Sequence, residues 1–199
     1  LRPVSILMIT SGLASSIFYS IIWFVVPLLI AGQADNHILS IGLGIFDFTV
    51  VILGFVLGKL VDAYDKKMLI VIGLFLFALA SILIGFDFGP LFLFLGFVAT
   101  AGEELSTLSL WAWLYKIDTK REHYGLISGT ISFFDDIGWA IGPVIAGALY
   151  GIIGPAWTIA IGGMLIACNL IIFLFFAKHH SPSLKITSPR KPHRKRYKH

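Results

Sequence analysis

Gly58-Lys59-Leu60-Val61-Asp62-Ala63-Tyr64-Asp65-Lys66-Lys67 is a charged island between two long apolar runs, residues 38–61 and 68–86. Lipid offers no partners to bare charge, so the island belongs in a tight turn at a membrane surface. Gly58 is expected to let two helices approach closely. Asp62 is expected at the mouth of the turn, where the next helix presents unpaired backbone N–H groups and the positive end of its dipole. The lysines hold the turn on the anionic, cytoplasmic side.

Composition places the whole chain in the same setting. It is 57% hydrophobic and 13% charged, with a mean hydropathy of +0.90. Soluble domains are about 45–50% apolar and about 25% charged. An all-α integral membrane protein is therefore expected. Cys168 is the lone cysteine and lies in an apolar run, which excludes a disulfide framework and a cysteine metal site.

Membrane-spanning helices need roughly 20 apolar residues each. Six stretches qualify, at residues 4–31, 38–61, 68–86, 91–115, 124–151 and 156–177. They form one transmembrane bundle, residues 1–177, and residues 178–199 follow as a basic tail. The first stretch is too long for the apolar region of a signal peptide. The chain opens Leu1-Arg2-Pro3 without methionine, as expected of a piece of a longer polypeptide.

Charge sets the orientation. With six passes, all 15 Lys and Arg fall on the side of the two termini, while Asp35, His37 and Asp87 fall on the other. Cytoplasmic loops carry the positive excess, so both termini are expected in the cytoplasm of a multi-pass plasma-membrane protein. The pI of about 9.2 then reflects topology, and nucleic-acid binding is not expected. The tail has eight Lys/Arg, no acid, and Pro182, Pro189 and Pro192 to break any helix. It is expected to be disordered beside anionic lipid headgroups.

The fifth stretch carries a second marker. Gly125, Gly129, Ser132, Asp136, Ala140, Pro143, Gly147 and Gly151 recur every three or four residues. Such a small-residue face lets helices pack closely where no hydrophobic force drives them together. Pro143 removes a backbone donor and bends the helix.

At two places the sequence resembles the major facilitator superfamily. Gly58, Leu60, Asp62, Lys66 and Lys67 match its motif A, roughly Gly-x-Leu-x-Asp-Arg-x-Gly-Arg-Arg/Lys. Ala63 stands where the family usually has arginine, and Asp65 where it usually has glycine. The segment from Gly138 through Trp139, Gly142 and Pro143 to Gly147 resembles the family's Gly-x-x-x-Gly-Pro-x-x-x-Gly pattern. The resemblance spans the six helices without the tail. It implies one six-helix half of a twelve-helix transporter, with substrate held near mid-membrane between two bundles that rock. First halves usually carry an arginine within the fourth helix. Here that helix has Gly102-Glu103-Glu104 and no arginine, which favours the second half. The partner would then be the missing half of the same polypeptide, or a second copy.

Five carboxylates lie inside the expected spans: Asp47, Glu103, Glu104, Asp135 and Asp136. A charge at the bilayer centre costs at least about 2.5–3.5 kcal/mol, so these acids face a cavity, find partners or carry a proton. No Lys or Arg lies deep in the spans as a counter-ion. Asp136 shares the small-residue face, and Asp135 lies about 100° round the helix, nearer Ser128 and Gly142. One is expected to face the central cavity and the other a neighbouring helix. Glu104 aligns with Thr100, Thr107 and Trp111, a stripe suited to touching substrate, and Glu103 with Gly96, Ala99 and Ser106. Trp139 joins Trp111 as an aromatic candidate.

Secondary active transport of a small solute, coupled to protons or cations through these acids, is the expected function. A non-transporting six-helix scaffold or receptor that homodimerises through the fifth-helix glycines is the alternative. A carboxylate metalloenzyme using Glu103, Glu104, Asp135 and Asp136 is disfavoured because no histidine lies in the same layer. No cofactor, metal or catalytic residue is expected, and neither HExxH nor a phosphate-binding loop occurs.

Overall fold

The computed structural model describes residues 3–31, 36–86, 91–117 and 124–179. Five helices follow one another: α1 Pro3–Ala31, α2 Asn36–Ala63, α3 Lys66–Phe86, α4 Leu91–Ile117 and α5 Tyr124–His179. Between α2 and α3 only Tyr64 and Asp65 are non-helical. Among the described residues four helical stretches are long and apolar enough to cross a membrane: Ile9–Leu28, Lys66–Phe86, Leu91–Lys116 and Ser128–Phe176.

Six separate helices are therefore not what is found, because the break expected at residues 152–155 lies inside α5. That helix has 56 residues and would run about 84 Å if straight, against a hydrocarbon core of about 30 Å. It is not straight. Gly154 has φ 79° and ψ 171°, a conformation essentially reserved for glycine. Pro155 has no N–H to lose in a first helical turn. The Thr158 hydroxyl donates to the Gly154 carbonyl at 2.8 Å, which gives that oxygen a partner at the break.

Packing against α1 shows what the break does. Before it, Asp135 meets Ser16, and Gly138 and Gly142 meet Ser16, Ile17 and Ser20, so this arm runs parallel to α1. After it, Gly162 meets Ile21 and Ile22 while Asn169 meets Ser11 and Ser15, so the second arm runs antiparallel. The chain reverses at Gly154. Gly154→Ala is expected to destabilise the folded protein by about 1–3 kcal/mol. The loss would be read as a lower midpoint in thermal unfolding followed by helical circular dichroism.

The core joins α1, α3, α4 and the second arm of α5. Ile21 and Val25 of α1, Leu74 and Phe77 of α3, and Ile166 and Phe173 of α5 are all almost fully buried there. Bare backbone makes the tightest crossings. A Cβ on Gly73 would lie 2.6 Å from the Gly102 carbonyl oxygen, and one on Gly102 would lie 2.7 Å from that of Gly73. Gly85 and Gly163 of α3 and α5 approach Ala160 and Ile82 in the same way. In lipid this close contact replaces the hydrophobic effect as the source of helix association. α2 packs mainly on α4, through Val61 and Leu105, with Leu69 of α3 completing the cluster. Its outer face bears Phe48, Val51, Ile52 and Phe55, each more than 60% exposed, an apolar surface suited to lipid.

Candidate functional site

The charged turn is closed by residues other than the expected one. Asp65 Oδ1 accepts hydrogen bonds from the backbone N–H groups of Lys67, at 3.0 Å, and Met68, at 3.1 Å. Asp65 thus caps α3, whereas the Asp62 side chain is exposed and does not reach α3. The ammonium of Lys66 turns back onto the end of α2, donating to the carbonyls of Val61, Asp62 and Tyr64. A cation is favoured there by the negative end of the helix dipole. Gly58 has open space where a Cβ would stand, so no close helix approach uses it among the described residues. Leu60 lies on the exposed side of the same turn. Lys59 stacks over Phe55, and Lys67 lies over Trp113 of α4, which brings the start of α3 and the end of α4 to one level. Asp65→Ala is expected to lower stability by about 1 kcal/mol, measured as a shift of the unfolding midpoint. Asp62→Ala should shift it less.

A polar seam runs down α1. Ser11, Ser15, Ser16 and Ser20 are all buried, and the pairs Ser11/Ser15 and Ser16/Ser20, each four residues apart, form two neighbouring rows along the helix. Asn169 of α5 donates to the Ser11 carbonyl and to the Ser15 hydroxyl, both at 3.2 Å. Ser20 has the Ile17 carbonyl at 2.9 Å and the Gly138 carbonyl at 3.2 Å as acceptors. Ser16 has the Gly12 carbonyl at 3.0 Å and the carboxylate of Asp135. The sequence reading passed over this seam. The available signal was the close set Ser11, Ser15, Ser16 and Ser20 in a mostly apolar run, with Asn169 the single asparagine of the last span.

The acids divide between the seam and the surface. Asp135 is half-buried against α1, while Asp136 is exposed. Glu103 is half-buried and accepts a hydrogen bond from Thr107 at 2.9 Å. The threonine expected beside Glu104 is therefore engaged by Glu103. Glu103 also lies within electrostatic reach of Glu104 and Asp135. Glu104 is half-buried, with no side-chain hydrogen bond among the described residues. None of the four has a basic partner there. Asp47 sits on α2, with its side chain outside the described residues. A small cleft lined by Ser11 and Ser15 of α1, Ile70 and Leu74 of α3, and Ser106 and Thr107 of α4 opens near this region.

The first arm of α5 has two faces. Gly138 and Gly142 are buried on α1, where a Cβ on Gly142 would lie 1.6 Å from the Ser20 hydroxyl oxygen. Gly129 and Gly147 have open space beside them, as do Gly125 and Gly151. The exposed face, with Ser132, Asp136 and Ala140, is thus not the one that packs within the chain. Pro143 lies between the two faces, half-buried, inside α5. Trp139 is partly exposed and meets Tyr19 of α1 edge-on at 5.6 Å. Trp111 stacks on Tyr115 and packs against the core.

No group of three or more His, Cys, Asp and Glu suited to holding a metal occurs among the described residues. What remains is a multi-pass helical membrane protein whose interior carries hydroxyls and acids without basic partners among the described residues. The family model described as Major Facilitator Superfamily matches residues 8–198. The chain belongs to the major facilitator superfamily, and that membership supports membrane transport of a solute. The match reaches through the basic tail, which the sequence resemblance left out. No curated protein matches the chain.

Proposed function

We propose that this chain is one six-pass half, the second, of a secondary transporter that moves a small solute by alternating access and couples it to protons. The reversal of α5 at Gly154 supports the sixth pass. The observation that carries the coupling is Asp135 in contact with Ser16 inside the bundle, near Glu103 and without any basic partner among the described residues. An acid so placed is best accommodated by taking up and releasing a proton. The exposed face of α5, with Asp136 and Trp139, would line the cavity toward the other half, and Glu104 with Trp111 would add a second polar-aromatic wall. Lysines of the α2–α3 turn and Lys116 would face the cytoplasm, with the basic tail on anionic lipid.

Entrance counterflow in liposomes tests the transport reading. Reconstituted together with the half it meets, the chain should exchange at least one labelled solute class (sugar, amino acid, organic acid, amine or peptide) faster than empty liposomes. A monodisperse protein that exchanges none of them contradicts it. A second reading is favoured by the open Gly129 and Gly147 face: a scaffold that homodimerises through α5 without transport. Gly147→Leu would then abolish a dimer in detergent, whereas a transporter half meeting a different surface would show no such dimer.

A further inference from the structure

We propose that Ser16 is a proton-sensed link between α1 and α5, its single hydroxyl hydrogen passing between two acceptors according to the state of Asp135. The inference rests on the proton-coupled reading above and deepens it. The Ser16 hydroxyl oxygen stands 3.0 Å from the Gly12 carbonyl of its own helix and against Asp135 Oδ1 of α5. One hydrogen cannot serve both acceptors fully.

With Asp135 ionised, Ser16 donates across the helix boundary, in a charge-assisted bond about twice as strong as a neutral one. When Asp135 takes a proton from water, its own O–H becomes the donor and the Ser16 oxygen the acceptor. The hydroxyl hydrogen of Ser16 then turns back to Gly12. No covalent bond changes beyond the one new O–H, and the proton returns to water when the acid ionises. Protonation thus exchanges a strong link from α1 to α5 for a weaker one of opposite polarity. It does so where Gly138 already lies against Ser16 with no room for a side chain.

Other groups near Asp135 do not duplicate this role. From α4, Glu103 acts on it only through charge. Asp136 is its neighbour on α5 but points about 100° away. The charged groups of α3, Lys66 and Lys67, are at its first turn and engaged there. From α1 the contacting group is the Ser16 hydroxyl. Ser20 repeats the double geometry one turn on, but both its acceptors are carbonyls, Ile17 and Gly138, which do not titrate. It is the built-in control.

The test is infrared difference spectroscopy of the reconstituted protein between alkaline and acid pH. The wild-type spectrum should contain a protonated-carboxyl C=O band that Asp135→Asn removes. In Ser16→Ala that band should persist but move to higher wavenumber, because the acid loses its hydrogen-bond acceptor, and in Ser20→Ala it should stay in place. A band unmoved by Ser16→Ala, moved equally by Ser20→Ala, or absent from the wild type would each overturn the proposal. Transport that ignores pH, with the band shift intact, would instead overturn the coupling and leave the Ser16 link standing.

Discussion

Gly73→Leu is expected to prevent the bundle from forming. The Cβ alone would lie 2.6 Å from the Gly102 carbonyl oxygen and 2.6 Å from the Ser106 backbone nitrogen. Both are main-chain atoms of a neighbouring helix, so no side-chain rotation makes room. Overpacking a core ordinarily costs 1–3 kcal/mol, occasionally more, and here α3 and α4 would have to separate along their crossing. Because Gly102 presses back on Gly73 and Phe77, the crossing has no soft side. The variant should lose its monodisperse peak in detergent and its cooperative melting. Gly147→Leu adds the same side chain to a helix at an open position, and should keep both.

The second large effect falls on function. Asp135→Asn should end solute accumulation driven by a pH gradient while sparing solute exchange at equal pH on both sides. The amide is nearly isosteric and can still accept from Ser16, so the contact between α1 and α5 survives in shape. What disappears is the carboxylate to which the proposed coupling assigns the proton. Asp136→Asn should leave the gradient response in place and instead weaken solute binding, because that side chain lies on the open face. Equal loss in both variants would show that the two acids work as one site, contrary to their placement on different faces.

How far these features could be read in advance depends on whether their cause is local. The charged turn follows from ten consecutive residues and the insolubility of charge in lipid, and its lysines do gather with Lys116 at one end of the bundle. Which aspartate closes it was not legible. Asp62 and Asp65 both lie near the start of α3, and only the end of α2 at Ala63 makes Asp65 the cap. The helical periodicity of α5 separated Asp135 from Asp136, because faces of one helix follow from spacing. It could not say which face meets α1, since that depends on a helix more than a hundred residues away. The Gly129 and Gly147 row had the better small-residue pattern, yet Gly138 and Gly142 took the contact. The Gly73 and Gly102 crossing was invisible for the same reason. Among 20 glycines, spacing alone does not reveal which pairs become neighbours. The serines of α1 went unread because a hydroxyl in an apolar span satisfies itself on its own helix, as Ser81 does at 2.7 Å on Phe77.

In the proposed transporter, solute movement and proton movement share one pathway through this bundle. Adding solute to weakly buffered proteoliposomes while recording the pH of the medium tests this sharing. A solute-dependent pH change is expected, in the direction set by symport or exchange, that a protonophore collapses and Asp135→Asn removes. Solute entry with no pH change in the wild type would contradict it.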